Sequence, residues 1–190
     1  MKNGNEATAA VAGALEAAGI DYLLAGSYSA NYYGNPRATR DADFVIQRGQ
    51  GSFDDFLGAL GTSFVLDPQM SFETVTGTYR QILEVTGLPF KIELFELSED
   101  PHDQSRFERR VAIVNRVLER SIYLPTPEDV IVTKLRWVSI AIREKDADDI
   151  RNVLAVQWDT LDWDYIHHWA DIHGTRETLD QIRDSIPPLD

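Results

Sequence analysis

The chain has 190 residues, with 31 acidic against 18 basic side chains and a formal net charge of −13. It holds no cysteine, which excludes a disulfide framework, a thiolate zinc site and a thiol nucleophile. The acidity argues against strong duplex DNA binding, which needs many Lys and Arg on phosphates, but a local cluster of cations or a divalent metal can still bind a small anion. No apolar run is long enough for a bilayer. The first residues also lack the basic and apolar regions of a signal peptide, so the expected location is the cytoplasm.

In chain order, Glu6–Ala18 has helical apolar spacing and stops at Gly19, a glycine suited to ending a helix. Tyr22–Ala25 reads as a buried strand. Beyond Gly26-Ser27, the stretch from Tyr28 reads as a short helix closed by Gly34. Phe44–Ile46 is a second strand introduced by Asp41-Ala42-Asp43, and Phe53–Leu60 is a helix stopped at Gly61. Tyr79–Val85 and Leu88–Leu97 flank the turn residues Thr86-Gly87 and read as an antiparallel pair. Val111–Val114 and Ser121–Leu124 are shorter strands.

At Pro125 the pattern changes. Thr126, Pro127, Glu128 and Asp129 supply an N-cap, a first-turn proline and two acids for a helix running to about Ile142. A second helix starts near Lys145-Asp146, and the rest is helical to about Ile186. The expected fold is α/β (α+β): a mixed sheet flanked by helices in residues 1–124, with an α-helical C-terminal portion, residues 125–190, packed on it.

The chemistry concentrates between Leu24 and Phe44. Asp41 and Asp43 are two apart on a strand and project from one face. Carboxylates held so close repel unless protonated, paired or shared with a cation, and their hard oxygens suit Mg²⁺ or Mn²⁺. Gly26-Ser27 lies between strand and helix, where close backbone approach and free N–H groups favour a phosphate. The third carboxylate needed for a two-metal arrangement is best supplied by Glu93, mid-strand in Phe90–Glu96 among apolar residues. It ranks ahead of Glu84 and Glu96.

These residues carry a resemblance. Ala25-Gly26-Ser27 followed after thirteen residues by Asp41-Ala42-Asp43-Phe44 resembles the signature of the DNA polymerase beta-like nucleotidyltransferase superfamily. The string GSYSANYYGNPRATRDADFVI and the downstream PTPEDVIVTKLRW…REKDADDI look like the bacterial minimal nucleotidyltransferases and their AbiEii-toxin-like branch. The resemblance covers about Leu23–Ile150 and departs from the pattern at Glu93, where Asp is commoner. It implies a metal-dependent enzyme that moves an NMP group from an NTP to a hydroxyl acceptor, with Asp41, Asp43 and Glu93 holding Mg²⁺ or Mn²⁺. It also implies a triphosphate contact for Lys134.

Arg37 and Arg40 either contact the triphosphate or a polynucleotide, or neutralise the Asp pair. Asp146 and Asp149 share a helix face and read as a structural bridge holding Arg143 or Lys145. Neither His167-His168 nor His168 with His173 has the spacing that puts two ligands on one helix face. The tryptophans read as packing for the helical portion. The acceptor stays open between RNA, a protein side chain and a small hydroxylated molecule. The competing reading is a catalytically inactive nucleotide-binding protein, or a toxin–antitoxin partner with an antitoxin or other protein bound.

Overall fold

The computed structural model describes residues 1–49, 51–75, 77–140 and 144–186. Asn3 caps helix α1 (Gly4–Ala17), whose chain leaves through Gly19 at positive φ into strand β1 (Tyr22–Leu24). Helix α2 (Gly26–Tyr33) and strand β2 (Asp41–Ile46) follow, then α3 (Phe53–Leu60) and the short strands β3 (Phe64–Leu66) and β4 (Ser71–Glu73). Strands β5 (Thr78–Val85) and β6 (Lys91–Glu96), helix α4 (Pro101–Glu108) and the hairpin β7 (Val111–Asn115) and β8 (Arg120–Leu124) complete the mixed part. Helices α5 (Pro127–Ile140), α6 (Glu144–Gln157), α7 (Trp163–Ile172) and α8 (Arg176–Asp184) end the described chain.

The main sheet runs β1-β2-β6-β5-β3, with β4 also on β5. Only β2 and β6 are parallel; the other pairs in this sheet are antiparallel. Alternation then divides the sheet cleanly. Ala42, Phe44, Ile46, Ile92 and Leu94 point to one face and join Val11, Leu15 and Phe56 of α1 and α3 in the largest core cluster. Their neighbours Asp41, Asp43, Val45, Glu93 and Phe95 point to the other. There Val45 and Phe95 meet Phe107 of α4, and the acids lie beside them on the same face.

A second core holds the helical segment. Ala30 and Tyr33 of α2 pack with Val130, Ile131 and Leu135 of α5 and with Ile150, Val153, Ile166 and Leu179 of the later helices. The apolar stripe of α5 therefore docks on helices, α2 among them, and not on the strands. Buried polar groups fasten the same contact: Tyr33 Oη donates to Pro125 O at 2.9 Å, and Gln157 Nε2 donates to Tyr33 O at 2.9 Å. Tyr33→Phe is expected to cost about 1 kcal/mol by leaving the Pro125 carbonyl unpaired, checked by urea denaturation.

Several elements differ from the sequence expectation. Gly26 and Ser27 are the first residues of α2, not a loop before it. The turn after β5 is longer than Thr86-Gly87, because β6 begins only at Lys91 and Phe90 is buried against Gly4. Helix α4 was unassigned, although Asp100 accepts from the backbone N–H of His102 and Asp103 and Pro101 opens the first turn. The expected α5 end at Ile142, and Arg143, lie outside the described residues.

Candidate functional site

The parallel register decides which acids meet. Asp43 is the Cα partner of Glu93, and Asp41 is the partner of Lys91 one pleat earlier. Partners in register share a face, so Asp41, Asp43 and Glu93 lie on one surface. They line a cavity of about 270 Å³. Its far wall comes from α5 and α6, through Thr133, Lys134, Trp137, Lys145 and Asp146. On the sheet side Arg80 adds a cation, with Nη1 3.1 Å from Glu93 Oε2 and Nε bound to Ser71 Oγ at 3.2 Å.

The start of α2 forms the third side. Ala25, at its N-cap, gives no side-chain cap, so the first-turn amides are unused by a side chain and Gly26 and Ser27 border the cavity. Gly26 has φ +59°, and a Cβ built there would lie 1.8 Å from Asp43 Oδ2. The backbone thus approaches the Asp43 carboxylate as no other residue type permits.

The carboxylates have separate partners. Thr39 Oγ1 donates to Asp41 Oδ1 at 2.7 Å, and Glu93 faces Arg80. Burial, then the charges of Asp41 and Glu93, push the Asp43 carboxyl from 3.8 up to about 7. The folded chain therefore binds more protons than the unfolded chain between about pH 4 and 7, and stability falls as pH rises through that window. Asp43→Asn removes the slope. In a chelator, the variant is expected to be more stable than the parent at pH 8 by on the order of 2–4 kcal/mol, with the gap closing below pH 4. Denaturation at both pH values checks this; a variant equally unstable at pH 8 would make Asp43 a structural partner.

The expected cations are placed differently. Lys134 lines the cavity but is buried, with Nζ 2.8 Å from Asp146 Oδ1 and 2.7 Å from Asp149 Oδ2. Arg37 grips Asp149 with Nε and Nη2 at 2.7 and 2.8 Å, and its Nη2 donates to the buried Ser27 Oγ at 3.0 Å. Burial alone would raise the Asp149 carboxyl, but the Arg37 hydrogen bond and the Lys134 charge outweigh it and hold it below its ordinary value. Asp146 and Asp149 are therefore bridges, as expected, but to Lys134 and Arg37 and not to Lys145. Arg40 is exposed, does not line the cavity and makes no ion pair among the described residues; its carbonyl accepts from Lys91 N. Lys145 is exposed at the rim.

Sequence reasoning missed Arg80, Thr133 and the cavity position of Trp137. Arg80 had a usable signal, since a strand antiparallel to β6 places residue 80 diagonally across from residue 93.

No protein-family model matches the sequence, and no curated protein is significantly similar to it. Solved structures similar to this one include two nucleotidyltransferase-type proteins. One is the antibiotic-resistance factor ANT(2'')-Ia, with TM-score 0.59 and 10% identity over 92% of each chain. The other is an antigenic nucleotidyltransferase-like protein from Paracoccidioides brasiliensis, with TM-score 0.54 and 15% identity over 99% of this chain and 95% of that one. Among the described residues, no helix is long and apolar enough to cross a membrane. The mixed sheet, its helical flanks and these two neighbours give the chain a nucleotidyltransferase-type fold.

Proposed function

We propose that the protein is a metal-dependent nucleotidyltransferase that moves a nucleoside monophosphate from an NTP to a hydroxyl acceptor. The observation that carries this reading is the register of Asp43 with Glu93, with Asp41 on the same face, opposite the uncapped start of α2. The donors fit a hard divalent cation: all are carboxylate oxygens, and burial first, then the charges of Asp41 and Glu93, raise the Asp43 carboxyl. Asp41, Asp43 and Glu93 would hold Mg²⁺ or Mn²⁺, which supplies charge neutralisation on the transferred phosphate and the leaving pyrophosphate.

The chain's own groups do the rest by positioning and charge. Amides at Gly26 and Ser27 take the terminal phosphates. Lys145 and Arg80 present positive charge to the same space, and Lys134, buried in the far wall, adds its field. Glu93 takes the proton of the attacking hydroxyl. Arg37 acts by holding Ser27 and Asp149. Residues 1–124 then supply the metal-binding face and residues 125–190 the wall that closes it.

RNA, a protein side chain or a small hydroxylated molecule can accept the nucleotide, and the acidic surface disfavours the largest nucleic acids. The likeness of the GSYSANYYGNPRATRDADFVI string to the AbiEii-type branch favours an antitoxin or other protein partner under the inactive alternative. Incubation with each labelled NTP and cell extract tests the reading. Label should transfer with the parent chain and fall at least about 10³-fold with Asp43→Asn. Retained NTP binding with no transfer by the parent would favour the inactive nucleotide-binding alternative.

A further inference from the structure

Behind the part of the acid-lined cavity that Asp103, Arg106 and Asp129 border, one cluster of donor atoms contributes no lining residue and takes no part in the proposed nucleotidyl transfer. Asp100, His102 and His173 bring one ligand atom each to within 4.8 Å of one another, the only such set of histidine and carboxylate donors among the described residues. They come from two helix ends. Asp100 caps α4, His102 lies in its first turn, and His173 follows the last residue of α7.

The histidines are held ready and left incomplete. The ring of His102 is fully buried, with Nε2 3.3 Å from Asp129 Oδ1. Asp129 is itself fixed by Tyr165 Oη at 2.6 Å and Thr126 Oγ1 at 2.8 Å. A carboxylate at Nε2 favours the proton on that nitrogen and leaves the Nδ1 lone pair free. Yet both ring nitrogens of His102 and Nδ1 of His173 are buried without a hydrogen bond, Nε2 of His102 having only the Asp129 carboxylate 3.3 Å away. Unpaired buried ring nitrogens beside a carboxylate are costly unless something binds them. The Trp169 ring, 5.0 Å from His102 and 5.6 Å from His173, walls the cluster with apolar surface, while the half-exposed His173 leaves a path to solvent.

We propose that Asp100, His102 and His173 form a second metal site, taking one borderline dication of the Zn²⁺ or Co²⁺ kind and fastening the start of α4 to the end of α7. Two imidazole nitrogens with one carboxylate select such ions over Mg²⁺, whereas the all-oxygen set on β2 and β6 selects the reverse. Asp129 behind His102 completes a carboxylate–histidine–metal relay. Arg136 now pairs with Asp100 at 3.2 Å and stands 3.8 Å from Asp103, so it keeps an acidic partner when Asp100 turns to the ion.

The test uses the full chain stripped with chelator, titrated with Co²⁺ and then competed with Zn²⁺, without nucleotide. With excess Mg²⁺ present to occupy the carboxylate site of β2 and β6, one Co²⁺ per chain should bind with the visible absorption of a nitrogen-ligated site and be displaced by Zn²⁺. Zn²⁺ should also raise Tm. His173→Gln and Asp100→Asn, the latter keeping the helix cap, should each weaken binding at least about tenfold and lose the Tm shift, while Asp41→Asn keeps both. Failure of the parent chain to bind Co²⁺, unchanged binding in both His173→Gln and Asp100→Asn, or loss only in Asp41→Asn would overturn the site.

Discussion

Replacing Lys134 with methionine is expected to destabilise the protein by about 3–5 kcal/mol, the usual cost of removing one partner of a buried ion pair. Methionine keeps the aliphatic stem's volume, so little of the loss comes from packing. What remains is electrostatic. Asp149 retains Arg37, but Asp146 is buried with no other ion pair among the described residues. Its uncompensated carboxylate must either stay charged at high cost or take up a proton.

The pH dependence has a definite sign. Asp149 has a lowered carboxyl in the folded chain, so its contribution is present above the ordinary value near 3.8 and lost as pH falls through its folded value. In Lys134→Met that contribution shrinks, and the deficit should narrow on going from pH 7.5 to pH 3, the change falling below about pH 4. Urea denaturation at both values measures it. The double variant Lys134→Met with Asp146→Asn should recover part of the loss, because the two side chains are in contact and their effects are not additive. A single variant with unchanged denaturation midpoint would put Lys134 back in solvent, free to meet a triphosphate directly.

Lys134 also shows where sequence reading ran out. Its helix was legible from Thr126-Pro127 and from the stripe Val130, Ile131 and Leu135. A stripe says that a face is buried, not against what. The partners are α2 and the later helices, of which α6 brings Asp146 and Asp149 beneath the Lys134 ammonium. The acids of β2 were readable because strand alternation is local and has period two. Glu93 was readable from the discomfort of a mid-strand acid, but its parallel pairing with β2 spans fifty residues of sequence and leaves no local trace. Arg37 and Arg40 are three apart and equivalent by eye. They differ because Asn31 clamps the backbone of Arg37, donating to its carbonyl at 2.7 Å and accepting its N–H at 3.0 Å, which turns that side chain toward Asp149. The donor set of Asp100, His102 and His173 was invisible for a related reason: spacing rules compare ligands on one helix, and these lie on two.

Gly26→Ala should damage both stability and transfer, although it adds one methyl group. Gly26 sits at φ +59°, where an L side chain costs roughly 1–2 kcal/mol. The new Cβ would also lie 1.8 Å from Asp43 Oδ2, 2.7 Å from its Cγ and 3.1 Å from its Cβ. Such overlap must be relieved by moving either the start of α2 or the Asp43 carboxylate. The first would lose the amides proposed to take phosphate, and the second would lose a carboxylate proposed to hold the metal. Stability should fall by about 2–4 kcal/mol, strain and lost packing together, and nucleotidyl transfer by at least about 10²-fold. Gly58→Ala is the control. Gly58 lies inside α3 with nothing within 4 Å of its would-be Cβ, so alanine there should stabilise by about 0.5–1 kcal/mol. Adding Asp43→Ala to Gly26→Ala removes the contacts at 1.8 and 2.7 Å and should restore part of the stability while transfer stays lost. If Gly26→Ala alone kept both its melting temperature and its Mg²⁺-dependent transfer, the close approach of α2 to Asp43 would have no part in the reaction, and the phosphate-binding side of the cavity would have to be sought at Lys145 and Arg80.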